Sequence, residues 1–352
     1  MAPANIFYDD DADISLVKGK TILFIGYGNQ GRAQALNFRD TLKYAKTDAT
    51  ILIANLKDSY AARAHEDGFE VTQDWAKATA LADVIFLLIP DQVQPKLFNS
   101  KIGPSMKPGA TVVVASGYNV FYKLLDVPKG ANVVMAAPRM IGTSVRSRFV
   151  SNAGYPCFVS VEQDATGNAH ELALAISRGI GATKAGAIES SAREETLIDL
   201  FAEQALWPTV INAFTEAYKL LRANGCSDEA LVHELYYSME PAEIFEKCAE
   251  DGFVKQLVYH SKVSQFGQLN GALSLDGSEF VSRFQKVLKH QIIEGEFMRN
   301  FSKMEKAGTL DKELESLFER AGKTELALGE KLVFERLGHS YGAATGKVNG
   351  GH

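Results

Sequence analysis

Three carboxylates, Glu195, Asp199 and Glu203, recur at every fourth position of a segment with helical periodicity, which puts them on one helix face. Like charges at this spacing cost about 0.2–0.5 kcal/mol per pair unless something positive offsets them. A hard cation such as Mg2+ would do so, held by one or two carboxylates, waters and substrate oxygens; the other reading is a solvated acidic face. Leu197, Ile198, Leu200, Phe201, Ala205 and Leu206 make the surroundings of Asp199 and Glu203 apolar for a merely solvated face. A second cluster contains His233, Glu234, Tyr236, Tyr237, Glu240 and Glu243. Glu234 could reach the same site from a neighbouring helix, the tyrosines could donate protons, and His233 reads as a core histidine with a satisfied polar tip.

The other chemical signature is Gly26-Tyr27-Gly28-Asn29-Gln30-Gly31, which follows an apolar run and opens a segment with helical spacing. A dinucleotide needs Gly26 for the tight turn, Gly28 for approach of the backbone to the pyrophosphate and Gly31 for close helix–strand packing. The phosphates would rest on the amides of the helix N-terminus. The next run ends in Asn55-Leu56-Lys57-Asp58-Ser59, an amide and a cation where an acid would take the ribose 2′-hydroxyl of NADH. Lys57 and Ser59 suit a 2′-phosphate, so NADPH is expected, with NADH as the alternative. Pro90, Asp91 and Gln94 after one run, and Ser116 after another, lie at carboxyl ends of strands, where such sheets bind ligands.

These groups are positioned by two kinds of chain. Apolar runs at 21–26, 50–54, 83–89, 111–115, 132–137 and 157–161 alternate with helix-sized segments, the pattern of parallel strands buried on both faces. From about residue 187 the β-rich runs stop and 194–224, 228–250 and 279–306 read as long amphipathic helices, the first opened by the capping box Ser191-x-x-Glu194. The expected architecture is a doubly wound α/β Rossmann-like domain, 1–186, an all-α domain, 187–330, and a disordered tail, 331–352, rich in Gly and small polar residues. At 352 residues, with 37 basic against 43 acidic side chains, the chain is long enough for two domains and too acidic for a nucleic-acid partner. Three cysteines without a CxxC pair fit reduced thiols. No signal-like or membrane-length apolar run occurs, so a cytoplasmic enzyme with a small-molecule substrate and no membrane partner is expected.

The stretches YDDDADISLVKGK, IGYGNQGRAQALNFRD, IPDQVQ and GYPCFVSVEQDATGNAHELALAISRGIGATKAGAIESSAREETLIDLFAEQ resemble ketol-acid reductoisomerases of the short form, over nearly the whole length to about residue 308. The resemblance implies a helical C-terminal domain of the knotted type that dimerises, NAD(P)H, and two Mg2+ ions that promote an alkyl shift in a 2-acetolactate-type substrate before reduction. It assigns Asp199 and Glu203 as metal ligands and Glu234 as a ligand from the next helix. The family's remaining carboxylate falls on Ala230, its HGFN histidine on Ser116, its APKGPGH lysine on Arg139, and its late serine on Ser261. Trp207-Pro208-Thr209 replaces a Cys-Gly-Gly-like stretch. With the cofactor half intact and the isomerase ligands incomplete, the expectation is a reductase without isomerase activity, acting on a small C=N or C=O compound through Asp199, Glu203, Glu234, Ser116, Arg139 and Ser261. One metal at Asp199 and Glu203 stays open. The alternatives are a working reductoisomerase of branched-chain amino-acid synthesis and a non-catalytic NADPH-binding protein.

Overall fold

The computed structural model describes residues 3–338. Residues up to Asp199 form one compact unit and those from Leu200 onward a second. The first unit is built on nine strands: β1 (Ile6–Phe7), β2 (Thr21–Ile25), β3 (Thr50–Ala54), β4 (Glu70–Thr72), β5 (Val84–Leu87), β6 (Thr111–Val114), β7 (Asn132–Pro138), β8 (Cys157–Gln163) and β9 (Ala187–Glu189). They lie in the order β1-β9-β8-β7-β6-β5-β2-β3-β4. From β4 to β7 every pairing is parallel. The chain runs outward from β2 to β4 in one direction and from β5 to β7 in the other. The switch point therefore falls between β2 and β5, where ligands bind in such sheets.

The central strands β2, β5, β6 and β7 are almost wholly apolar because both faces are covered. Ile22, Phe24, Val84, Phe86, Val113, Val134 and Ala136 point into one core. Leu23, Ile25, Ile85, Leu87, Val112, Val114, Met135 and Ala137 point into the other. Each strand side chain thus alternates between two buried layers, as its period of two requires. Phe24 stacks on Phe86 at 4.3 Å, and Phe38, from the helix Asn29–Ala45, meets both rings edge-on.

Several expectations are corrected. β8 runs antiparallel to β7, since an apolar run does not encode its direction. β9 lies beyond the expected boundary at 186, yet it pairs with β8 and β1, and the turns through Asp199 belong to the same unit. The segments expected as single helices at 228–250 and 279–306 are interrupted by residues at positive φ, Met239 (+68°) and Gly295 (+72°). Of the expected tail, residues 331–336 belong to the helix Glu325–Arg336, whose Val333 is buried; residues 339–352 lie outside the described residues.

The second unit is helical. Its buried apolar group is small, Tyr218, Leu231, Val232 and Val333 with a few half-buried neighbours. Three of its helices pass through π turns, Ala202–Leu206, His233–Tyr237 and Val287–Ile293. Such wide turns recur at functional sites. Glu203 and Glu234 each sit in one, and the strict four-residue row of carboxylates ends with the α-helix Ala192–Phe201.

Candidate active site

The phosphate loop follows β2. Gly26 has φ +98°, and a Cβ there would stand 2.7 Å from the Leu88 carbonyl oxygen of the neighbouring strand end. A Cβ on Gly31 would fall on the Gly26 carbonyl group, 2.9 Å from its carbon. Both positions therefore exclude side chains, and the helix Asn29–Ala45 comes close to the strand. Gly28 caps this helix without a side-chain hydrogen bond, leaving its first amides free of a protein side-chain acceptor.

A cleft of about 340 Å³ opens beside this helix end. It is lined by Gly28, Asn29 and Gln30, by residues 87–91 with Gln94, by Ala115 and Ser116, and by Ile141 and Gly142. The structure thus unites Gly28, Asn29, Gln30, Pro90, Asp91, Gln94 and Ser116, which are up to 88 residues apart in the chain. Sequence reasoning missed Ile141 and Gly142. Their signal was glycine after a strand: a Cβ on Gly142 would stand 2.8 Å from the Gln30 nitrogen, so this loop closes directly on the phosphate loop.

Several motif residues serve as scaffold through their side chains. Tyr27 is fully buried, donates its backbone N–H to Asn55 Oδ1 (3.0 Å), and donates its hydroxyl to Asp67 Oδ2 (2.9 Å). Burial, with the Asp67 bond, pushes its phenol far above the ordinary range. Gln30 donates Nε2 to the Met140 carbonyl (2.9 Å), tying the phosphate loop to the loop after β7. Gln94 is buried and donates to the Ile89 carbonyl and to Asp91 Oδ1. Lys57 and Ser59 are exposed after β3, outside the cleft lining; Asp58 between them caps the next helix by accepting from the Tyr60 and Ala61 amides.

Beside Ser116 stands a group of three charges. Arg139, just after β7, donates Nη1 to Glu195 Oε1 (2.7 Å) and Nη2 to Asp199 Oδ1 (2.6 Å), and its guanidinium lies 4.9 Å from the centre of the Phe158 ring. Glu195 Oε2 accepts the Gly117 N–H at 2.7 Å. Glu195 is 2% exposed, whereas the Asp199 side chain is 40% exposed. Burial raises the Glu195 carboxyl above its usual range, against the pull of the Gly117 amide and Arg139. Gly117 packs on Ala192, where a Cβ would meet the Ala192 Cα at 2.7 Å, so the turn after β6 sits tight on the helix that carries both acids. That helix begins with half of the expected capping box: Ser191 Oγ accepts the Glu194 N–H, while the Glu194 carboxylate takes the Ser190 hydroxyl.

The remaining candidates belong to the second unit. Glu203, Glu234 and Trp207 are exposed there. Ser261 caps the helix Lys262–Ser274, accepting the Ser264 N–H at 3.3 Å.

The glycine loop, the bare helix N-terminus and the cleft at the switch point fit a dinucleotide. The acidic residues do not fit a two-metal centre. Asp199 gives one oxygen to Arg139, position 230 is alanine, and among the described residues no group of three or more His, Cys, Asp or Glu side chains is placed to hold an ion.

Fold and cleft together define a dinucleotide-dependent oxidoreductase. Residues 16–186 match the family described as "Acetohydroxy acid isomeroreductase, NADPH-binding domain", and residues 193–335 match "Ketol-acid reductoisomerase, C-terminal domain". The chain belongs to the ketol-acid reductoisomerase family and is an NAD(P)H-dependent oxidoreductase. It is 38% identical over 322 residues to the ketol-acid reductoisomerase (NADP(+)) of Pyrobaculum islandicum, covering 91% of each chain. It is 36% identical over 320 residues to that of Kocuria rhizophila, covering 90% of this chain and 91% of that one. The solved structure of an NADH-preferring ketol-acid reductoisomerase from an uncultured archean matches with a TM-score of 0.82 at 28% identity, covering 94% of this chain and 98% of that one. Among the described residues no helix is long and apolar enough to cross a membrane.

Proposed function

We propose that this protein is an NAD(P)H-dependent reductase of a small C=O or C=N compound and lacks the isomerase half of its family's reaction. The observation that carries the reading is Arg139 clamped on Glu195 and Asp199. An alkyl shift requires metal ions that stabilise charge on vicinal oxygens within a full ligand set. Here a fixed guanidinium takes up one candidate ligand, and Ala230 offers no oxygen. Reduction needs only an oriented nicotinamide, an electrophilic carbon and a polar group at the heteroatom. Gly28, Asn29 and the helix amides would hold the pyrophosphate, Lys57 and Ser59 a ribose 2′-phosphate, and Ser116 would face the reacting end. When bound, the dihydronicotinamide supplies the hydride.

A second reading is a working reductoisomerase that converts 2-acetolactate-type substrates into dihydroxy acids. The names and 36–38% identities of the relatives favour it and give the reductase-only reading no support. One experiment separates the two. With 2-acetolactate, Mg2+ and NADPH, the first reading expects no dihydroxyisovalerate, together with NADPH oxidation on a panel of 2-oxo acids and cyclic imines. Dihydroxyisovalerate at ordinary enzymatic rates would overturn it. NADPH binding without oxidation of any substrate would point to a non-catalytic protein.

Both readings carry a homodimer or larger homo-oligomer in the cytoplasm. Support for self-association comes from the second unit, which buries few apolar residues while Ile211, Leu220, Phe253, Val263, Phe266 and Leu273 are each more than 60% exposed.

A further inference from the structure

We propose that Arg139, Glu195 and Asp199 form a fixed-charge site of formal charge −1 that receives a protonated imine directly, with no divalent cation. The inference rests on the reductase reading and names its substrate class. Three observations carry it. The group is joined through the chain to two walls of the cofactor cleft, although none of its three residues lines it: Ser116 lines the cleft and Gly117, next in the chain, binds Glu195, while Ile141 and Gly142, two and three residues beyond Arg139, line it as well. The division of labour among the acids is unequal. Glu195 is buried with both oxygens engaged, by Arg139 and by the Gly117 amide, and so it anchors the guanidinium. Asp199 gives Oδ1 to Arg139, and its Oδ2 accepts no hydrogen bond from the described residues, although the side chain reaches the surface. Asp199 is therefore held in one rotamer with a carboxylate oxygen open.

An acceptor oxygen in a field of net −1 favours a cationic N–H donor over an anionic enolate or alkoxide. A protonated C=N bond is such a donor, and its carbon is already electrophilic. In the reaction the iminium nitrogen carries a proton taken from solvent and donates it as a hydrogen bond to Asp199 Oδ2. A hydride, one proton with its two electrons, passes from the dihydronicotinamide to the iminium carbon, the C=N π pair becomes the amine lone pair, and oxidised NAD(P)+ and the amine leave. No Lewis acid enters the balance.

The test uses the full-length protein saturated with NADP+, with pyrrolidinium chloride and sodium 2-oxobutyrate as calorimetric probes and Mn2+ binding followed by electron paramagnetic resonance. Cofactor binding is first established by titrating NADPH fluorescence, whose failure would count against the reductase reading itself. With cofactor bound, pyrrolidinium is expected to bind and 2-oxobutyrate to bind more weakly. Asp199→Asn should weaken pyrrolidinium about tenfold or more, as loss of a charged hydrogen-bond acceptor does, with its melting temperature reporting an intact fold. Wild type should take up no stoichiometric Mn2+, and Arg139→Gln, which releases both acids, should gain Mn2+ binding. Tighter binding of 2-oxobutyrate than of pyrrolidinium, indifference of pyrrolidinium to Asp199→Asn, or stoichiometric Mn2+ in wild type at micromolar concentrations would overturn the proposal.

Discussion

Replacing Arg139 by methionine removes one cation from two carboxylates in very different surroundings. Glu195 is 2% exposed, and without the guanidinium only the Gly117 amide would support its charge. Breaking a buried pair from one side costs about 3–5 kcal/mol, and the remaining amide bond places this case at about 3 kcal/mol. Asp199 is 40% exposed, so water takes over for the lost partner and Asp199→Asn should cost under about 1 kcal/mol. Adding Glu195→Gln to Arg139→Met removes the stranded charge while an amide oxygen still accepts from Gly117, and should recover about 2 kcal/mol. The chain has two tryptophans, and Trp75 is buried in the first unit. Urea unfolding followed by its fluorescence, in a Trp207→Phe background, reads that unit alone. Equal losses for Arg139→Met and Asp199→Asn, or a double mutant additive within about 0.5 kcal/mol, would refute the assignment of Glu195 as the anchor.

Gly31→Ala puts a Cβ onto the Gly26 carbonyl, a backbone group that cannot step aside; about 3 kcal/mol of stability and detectable NADPH fluorescence enhancement should both be lost. Gly267→Ala, in open space on the helix Lys262–Ser274, should instead stabilise by about 0.5–1 kcal/mol in thermal melts. Lys57→Glu combined with Ser59→Asp should lower the NADPH-over-NADH affinity ratio roughly ten- to hundredfold if these residues hold a 2′-phosphate, measured by titration of both cofactors. Asp67 accepts hydrogen bonds from Arg32 Nε and Nη2 and from the Tyr27 hydroxyl, with the Arg32 bonds first among the causes that hold its carboxyl below the usual range. Its contribution is then complete above the ordinary carboxylate pKa and is lost as pH falls through the lowered folded value. Asp67→Asn should flatten the acid limb of a stability–pH curve and cost about 1 kcal/mol at neutral pH.

What was legible in the sequence was whatever a short stretch determines by itself. The apolar runs gave six of the nine strands because a strand buried on both faces is apolar at most positions. β1, β4 and β9 have only two or three residues, too few to show a pattern. Gly26 and Gly31 were readable because the backbone itself requires them. The side chains between them were not: Tyr27 and Gln30 look like cofactor residues by position, yet their polar atoms bind Asp67 and the Met140 carbonyl. The meeting of Arg139 with Glu195 and Asp199 spans 56 and 60 residues, and no local spacing reports a contact that the order of strands creates.

That contact also changes how the substitution at position 139 reads. Taken singly, Arg139 and Ala230 read as damage to the ligand set that the family resemblance implies. Taken with the buried Glu195, Arg139 also has a structural role. A carboxylate that is 2% exposed has to be matched by positive charge or take up a proton, and here Arg139 supplies the charge. Lysine, a single point charge on a flexible stem, could answer one acid; the planar arginine fork answers Glu195 and Asp199 together and keeps its charge at every relevant pH. Arginine at 139 thus satisfies both acids at once. It makes Lys at that position a demanding variant: Arg139→Lys should leave Asp199 mobile and restore sensitivity of the site to divalent cations.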